Sequence, residues 1–570
     1  MIHLKTGLRK SSTDLEDPSV SQTLSQKLPQ KKVAPGSTRT TWIIGTLLGI
    51  VAMGFNLYRL GTPSMWFDEI LSVERSRQSL PVLLKIVTTA QANMAFYYFF
   101  LHFWLRMTQS FGLLPTEFVV RLPSAIFAAL ATIVVFLLGR RFIGTWGGIV
   151  AALLFLLNDL QLIYAQETRS YALELVLNCL AWYALFATLS QQTARKRWWA
   201  CFIATMTIAV YSHLFSMLIL FSQGIAVLGL LFLPTPWRFN VRAQFRAIVA
   251  GFGLTSLLII PLILDIHDAT RTEWIPVPRL IDITHLFYTI TNQDRTFLAL
   301  LVLVILLGIS GGFMMLLPHG RALLHSLTLL PDKNDIQYSR LQQAAAIGYA
   351  LLCWLIIPIV VSFVVSHTKT RLFLPRYLVT IVPPMMLLVG LGVGIFRWRL
   401  IQLGLTIFLI ALALIQVPQY YRSAQVEDWN STSAWIETHY QSNDGLVCYD
   451  NVQGCQVSME YYFRAYPTAA HFDSDSPGYF PWVSYDTTNR YGNAGLALNP
   501  HALAVFGQKH PRLFFIVGRV AGAQKARNVQ KATDWLNSHY QLIGQFNTNT
   551  VRIYLYDTHL ELKQPQTASK

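Results

Sequence analysis

"TWIIGTLLGIVAMGFNLYRL", residues 41–60, is followed after a short turn by "SMWFDEILSVERS", residues 64–76. The first stretch is apolar over about one bilayer crossing, which takes roughly 20 helical residues. The second sets two adjacent carboxylates, Asp68 and Glu69, among Trp66, Phe67 and Ile70. Two readings are open. The acids start a solvated helix, where first-turn carboxylates are favourable. Or they are chemistry, because a carboxylate at a membrane edge is expensive without a task or a partner.

The rest of the chain favours a membrane. Of 570 residues, 53% are hydrophobic and only 13% charged. Soluble proteins carry about 25% charged residues. The net charge of +16 reads as topology-setting Lys and Arg in cytoplasmic loops. Nucleic-acid binding is not expected, since no basic stripe is interleaved with aromatics outside the apolar runs.

Apolar runs occur near 41–60, 118–138, 146–164, 171–190, 198–212, 214–233, 244–264, 296–317, 344–366, 377–396 and 400–418. A twelfth, "NMAFYYFFLHFWLRMTQSFG" (93–112), carries His102 and Arg106. Charge parity decides its place. The loops "GRRF" (139–142), "ARKRWW" (194–199), "WRFNVRAQFR" (237–246) and "FRWRL" (396–400) are basic and belong inside. All of them fall inside if residues 93–112 lie along the surface as a juxtamembrane helix. The expectation is eleven spans, N-terminus cytoplasmic and C-terminus outside. Asp68, Glu69 and the segment 165–169 then share the outer side.

Residues 1–40 are polar and read as a disordered cytoplasmic tail. The first apolar run lies too far in for a secretory signal and reads as a retained anchor. Beyond Pro418 the composition turns mixed. "SAWIETHY" (433–440) and "ARNVQKATDWLNSHY" (526–540) read as helices. "GLVCYD" (445–450), "RLFFIVG" (512–518) and "VRIYLYD" (551–557) read as strands. Residues 419–570 are therefore expected to form a small α/β domain on the outer face, after a transmembrane domain over 41–418. Cys448 and Cys455 lie in it and could pair in an oxidising compartment. Cys179, Cys201 and Cys353 lie in apolar runs and read as small buried hydrophobes. No cysteine or histidine spacing suggests structural zinc. "GRVAGA" (518–523) lacks the spacing of a phosphate loop.

A second polar cluster is "NDLQLIYAQETRSYALELV" (158–176), where Glu167 and Arg169 flank Thr168 between Tyr164 and Tyr171. Ordinary loop charge with interfacial tyrosines is the bland reading. Its shared side with Asp68 favours a site. Carboxylates beside Arg suit a phosphate-linked substrate, because Arg binds phosphate in a bidentate way and an acid takes a proton from an acceptor.

These residues carry a resemblance. "WFDE" after the first span resembles the Asp-Glu motif in the first outer loop of GT-C glycosyltransferases. "MAFYYFFLHFWLRMTQSFG", "EFVVRLPSAIFA" (117–128), "GRRFIG", "YAQETRSYAL" (164–173), "YSHLF" (211–215) and "PRYLVTIVP" (375–383) follow in order. Over residues 41–420 the chain is similar to glycosyltransferase family 39-like membrane proteins, relatives of protein O-mannosyltransferases and aminoarabinose transferases. One departure stands out: the family's Pro-Pro before Leu-Tyr-Tyr is Met94-Ala95 here.

The resemblance implies a GT-C fold and transfer of a sugar, usually with inversion, from a polyprenyl-phosphate carrier to an acceptor at the outer face of a cell membrane, here a bacterial plasma membrane. The acceptor is a protein, a lipid or a glycan. Asp68 would deprotonate or orient the acceptor hydroxyl. Glu69 would support Asp68 or a metal, and Glu167 would be the second acid. Arg169, Arg121 and Arg376 are candidates for the carrier phosphate, and Tyr98 and His213 for substrate binding. A divalent cation is left open as cofactor, with Asp68 and Glu167 as its candidate ligands. A transporter or flippase of lipid-linked saccharides is the alternative. It should show repeats and Gly/Pro-broken paired spans, and no clear repeat is seen.

Overall fold

The computed structural model describes residues 36–90, 93–264, 272, 274–291, 293–320, 336–396, 398–424, 426–450, 454–466, 470–479 and 494–561. Most of the tail expected over 1–40 lies outside them, and the first helix begins inside it, at Gly36. Contacts divide the chain at Ile44. Up to Ile44 only the first turns of that helix are described; everything below concerns Gly45–Lys570.

The apolar runs are helices. They are α1 (Gly36–Leu57), α4 (Glu117–Phe142), α5 (Thr145–Leu156) with α6 (Asp159–Ala165), α7 (Tyr171–Leu189), α8 (Lys196–Ser212), α9 (Ser216–Leu230), α10 (Phe245–Leu264), α11 (Arg295–Met314), α12 (Ile336–Val365), a 3-10 turn (Pro375–Ile381) continuing into α13 (Val382–Gly394), and α14 (Arg399–Ser423). Among the described residues, eight helical segments are long and apolar enough to cross a membrane, or nine if the bent α5–α6 pair counts as one span. The two remaining expected runs are the shorter helices α8, of 17 residues, and α9, of 15. The ambiguous twelfth run is the 16-residue helix α3 (Ala95–Ser110) and is not among the eight.

Local chemistry sets the breaks. Thr116 caps α4, its side chain accepting from the Val119 N–H. Asn158 stops α5 and starts α6: its side chain accepts from the Gln161 N–H (3.3 Å) and donates to the Ile290 carbonyl (2.7 Å). The two helices meet at 63°, and that bend delivers residues 166–170. At Met94, where the resemblance expects proline, φ is +73°, a value the proline ring excludes.

Small residues let the helices close. A Cβ on Gly148 would lie 2.5 Å from the Arg140 backbone nitrogen, and one on Gly147 would lie 2.7 Å from the Gly390 carbonyl oxygen. Lipid gives no hydrophobic drive between spans, so such backbone approach is what packs them.

After α14 comes the expected α/β domain: α15 (Trp429–His439), β1 (Gly445–Tyr449), α16 (Gly454–Phe463), β2 (Arg512–Val517), α17 (Ala523–His539), β3 (Tyr540–Asn547) and β4 (Arg552–Glu561). The sheet order is β1-β2-β4-β3, with β1 parallel to β2 and the other pairs antiparallel. Phe515 and Val517 pack with Leu536 of α17, while Phe514 meets Trp435 of α15 on the opposite face. Cys448, in β1, is bonded to Cys455 at the start of α16.

The glycine contacts are testable. Gly148→Ala forces an overpacked crossing and should cost about 1–3 kcal/mol, read as a lower unfolding temperature of the detergent-purified protein. Gly404→Ala, where an added Cβ meets nothing within 4 Å, should not lower it.

Candidate functional site

The two adjacent acids occupy the first turn of α2 (Phe67–Ser76), as the bland reading expected. Successive helical residues point about 100° apart, so the two carboxylates have different surroundings. Glu69 is fully buried. Its Oε1 accepts from Arg121 Nε (2.8 Å) and the Thr168 N–H (2.8 Å); its Oε2 accepts from Arg121 Nη2 (2.6 Å) and, more weakly, the Trp66 N–H (3.4 Å). Arg121 has little left to offer a ligand. Its Nη1 donates to the carbonyls of Leu60 (3.1 Å) and Pro63 (2.7 Å), and its Nη2 also to that of Ser64 (3.1 Å).

Asp68 points the other way. Its side chain is 21% exposed, and its Oδ2 lies 3.2 Å from Arg376 Nη1. Arg376 is held over the rings of Trp66 (5.7 Å), Trp274 (5.1 Å) and Tyr377 (5.3 Å), contacts that suit a planar guanidinium. Its Nε is buried with no hydrogen-bond partner among the described residues. Arg169 Nη1 donates to the Asp68 carbonyl (3.3 Å) and to Ser72 Oγ (3.1 Å).

Glu167 joins them through the Thr168 bond to Glu69. Its carboxyl is buried, and Oε2 has no partner among the described residues. Burial pushes its pKa up to about 8, helped by the charges of Glu69 and Asp68 and opposed by Arg169 and Arg376. It is therefore largely neutral at pH 7 and can donate a hydrogen bond.

The other two expected residues stand further back. Tyr98 Oη accepts from Arg75 Nη1 (3.1 Å), and Arg75 lies two turns along α2 from Asp68. His213 lies behind the site, its ring 5.3 Å from that of Tyr171 and 5.5 Å from that of Tyr377. Its Nδ1 faces Glu174 Oε2 at 3.4 Å. Among the described residues no group of three or more His, Cys, Asp or Glu side chains is placed to hold a metal. Asp68 and Glu167 are the ligands expected for a divalent cation; of these, Glu167 Oε2 has no hydrogen-bond partner among the described residues.

The C-terminal domain reaches into the same loop. Glu427 Oε2 accepts from the Phe67 N–H (3.1 Å) and from Trp429 Nε1 (2.8 Å). Tyr462 Oη accepts from the Met65 N–H (2.9 Å) and donates to Glu117 Oε1 (2.9 Å). Ser64 Oγ accepts from the N–H groups of Trp429 and Asn430, both at 3.1 Å. Arg464 pairs with Glu74 of α2 (2.9 Å). None of these partners was singled out in the sequence. Tyr377 lies within the "PRYL" motif; Glu427, Tyr462 and Arg75 carry no local signal.

No protein-family model matches the chain, and no curated protein matches it in sequence. Solved structures do. ArnT from Cupriavidus metallidurans in the apo state aligns with a TM-score of 0.52 at 11% identity, covering 92% of this chain and all of that one. The same protein bound to undecaprenyl phosphate gives 0.49 at 12%, over 90% and 98%. The oligosaccharyltransferase AglB from Archaeoglobus fulgidus, with an inhibitory peptide and a dolichol-phosphate, gives 0.47 at 11%, over 90% and 74%. The chain has the GT-C fold, as a multi-pass membrane protein with a small C-terminal sheet domain.

Two outcomes follow for the buried acids. Breaking the Glu69–Arg121 pair with Glu69→Gln leaves a buried guanidinium uncompensated and should destabilise by about 3–5 kcal/mol, seen as loss of folded protein on size-exclusion. For Glu167, the unfolded carboxyl ionises near pH 4.5 and the folded one near 8. Between those values the folded protein keeps a proton that the unfolded chain has released, so stability falls as pH rises and levels off above the window. Thermal unfolding of the Glu167→Gln protein should show a smaller fall between pH 5 and pH 8 than that of the wild type.

Proposed function

We propose that the chain is an integral-membrane glycosyltransferase that moves a sugar from a polyprenyl-phosphate donor to an acceptor hydroxyl at the outer face. The observation that carries this reading is the division of labour between the neighbouring acids. Glu69 is fully engaged inside, while Asp68 is reachable, ionically paired with Arg376 and adjacent to a partnerless guanidinium N–H. A base needs reach to its proton, and a phosphate leaving group needs a fixed cation. The polyprenyl-phosphate carrier comes from the motif resemblance, and the GT-C fold agrees with it.

In this mechanism Asp68 takes the acceptor's hydroxyl proton. The acceptor oxygen attacks the anomeric carbon, and the bond from that carbon to the phosphate oxygen breaks. The electron pair goes to the phosphate, which leaves as the polyprenyl phosphate. Attack opposite the leaving group inverts the anomeric centre. Arg376 and Arg169 stabilise the developing phosphate charge, and the lipid tail stays in the bilayer. Glu167, held neutral by burial, donates a hydrogen bond to the donor. Were a divalent cation bound, Asp68 and an ionised Glu167 would hold it in place of that hydrogen bond, and it would supply charge neutralisation of the phosphate. Arg121 and Glu69 act as the frame in this reading and do not touch substrate. Tyr98 and His213 position α2 and the tyrosines rather than the sugar.

The orientation follows the charge parity: residues 1–40 cytoplasmic, 41–418 the transmembrane catalytic domain, and 419–570 extracytoplasmic at a bacterial plasma membrane. The Cys448–Cys455 bond supports it, since disulfides persist in oxidising compartments.

Purified protein supplied with polyprenyl-phosphate sugars should transfer sugar, and Asp68→Asn should lower the rate by about 10²–10⁴-fold with unfolding temperature unchanged. A stable Asp68→Asn protein that keeps full transfer would sink the assignment. In cells, an impermeant thiol reagent should label a cysteine introduced near Glu167 and spare one near Arg141; the reverse pattern overturns the orientation.

A further inference from the structure

A second feature lies on the flank of the bundle, away from Asp68. The C-terminal end of α1 and that of α14 enclose a groove of about 570 Å³, lined by Val51, Gly54, Phe55, Val417 and Pro418 below and by Tyr58, Arg59, Tyr421 and Arg422 at its rim. That volume is in the range of small-ligand sites, roughly 300–1,000 Å³. Its floor belongs to two membrane-crossing helices. Its rim falls where those helices end: Arg59 follows the last residue of α1 by two positions, and Arg422 is the penultimate residue of α14.

Charge and backbone distinguish this rim from an ordinary helix end. Both arginines are exposed, and neither has a carboxylate partner among the described residues. Arg59 has φ +59°, the left-handed conformation that closes helices and is usually filled by glycine. An arginine there accepts strain that glycine would avoid, which points to use of the side chain. The rim is also ordered. Arg59 Nη1 donates to the Tyr421 carbonyl (3.4 Å), Tyr421 Oη donates to the Phe55 carbonyl (2.5 Å), and the rings of Tyr58 and Tyr421 meet edge to face at 4.9 Å.

We infer that this groove binds an anionic phospholipid of the bilayer, with its phosphate between Arg59 and Arg422 and acyl chain along Phe55 and Val417. Two uncompensated guanidinium groups at headgroup level above an apolar cleft complement a lipid phosphate. The back wall of the groove is wired to the candidate site. Gln166, next to Glu167, donates to the carbonyls of Asn56 (2.8 Å) and Tyr58 (2.9 Å), and Tyr420 Oη donates to Gln166 Oε1 (2.8 Å). A bound lipid thereby braces the loop that carries Glu167. The binding itself does not depend on the reaction proposed above.

The test is native mass spectrometry of the full-length protein released from nanodiscs of phosphatidylglycerol and phosphatidylcholine in equal parts. Wild type should retain phosphatidylglycerol in preference to phosphatidylcholine. Arg59→Ala with Arg422→Ala should weaken that retention at least tenfold, and Arg246→Ala, a basic surface change elsewhere, should not. Gly54→Leu fills the groove where an added Cβ meets nothing within 4 Å, so it should fold and also lose the lipid. Equal retention by wild type and both groove variants overturns the inference. So does wild-type retention of both phospholipids alike, or displacement of phosphatidylglycerol by added undecaprenyl phosphate at equimolar amounts.

Discussion

A carboxylate with no access to water sits at the centre of this structure: Glu69, held by both donors of the Nε–Nη2 edge of the Arg121 guanidinium. Taking two charges out of water is costly, and the pair is tolerable only because every remaining lone pair and N–H is used. Those further bonds run to the Thr168 N–H and to the carbonyls of Leu60, Pro63 and Ser64. One ion pair thus ties the end of the first span, the start of α2, the second span and the loop after α6. Asp68 and Glu167 are each one residue from an atom in that knot. Both are thereby held by the same knot.

This arrangement explains why two acids stand side by side. Both acids of "WFDE" lie in the first turn of α2, yet Glu69 is buried in an ion pair while Asp68 stays partly exposed. Adjacent positions on a helix face different directions, so one acid is built into the frame and its neighbour is left at the surface of the site.

The membrane helices were legible because span length and apolarity are local properties. Every expected run is helical, and residues 93–112 carry the 16-residue helix α3, as short as the expected spans α8 and α9. The partners within the site were not legible, because they are brought together across long separations. Arg121 meets Glu69 across 52 residues and Arg376 meets Asp68 across 308. From sequence, three arginines near three acids look equivalent; burial and hydrogen-bond count separate them. Strand β3 was missed for another reason. Its Leu542 and Ile543 are both exposed, and its pairing with β4 shifts register there, so the alternation that marks a strand is broken.

The loop that carries Asp68 is finished by groups from the far end of the chain. The N–H groups of Met65 and Phe67 find their acceptors in Tyr462 and Glu427, which follow them by 397 and 360 residues. At about 5–20 residues per second, a ribosome takes roughly 20–80 s to make that intervening length. This segment therefore emerges early and waits, its two backbone donors hydrated, until the last quarter of the protein is made. Assembly of the site is coupled to completion of synthesis, and a chain truncated before α15 would insert its spans yet leave this loop without its final fastenings.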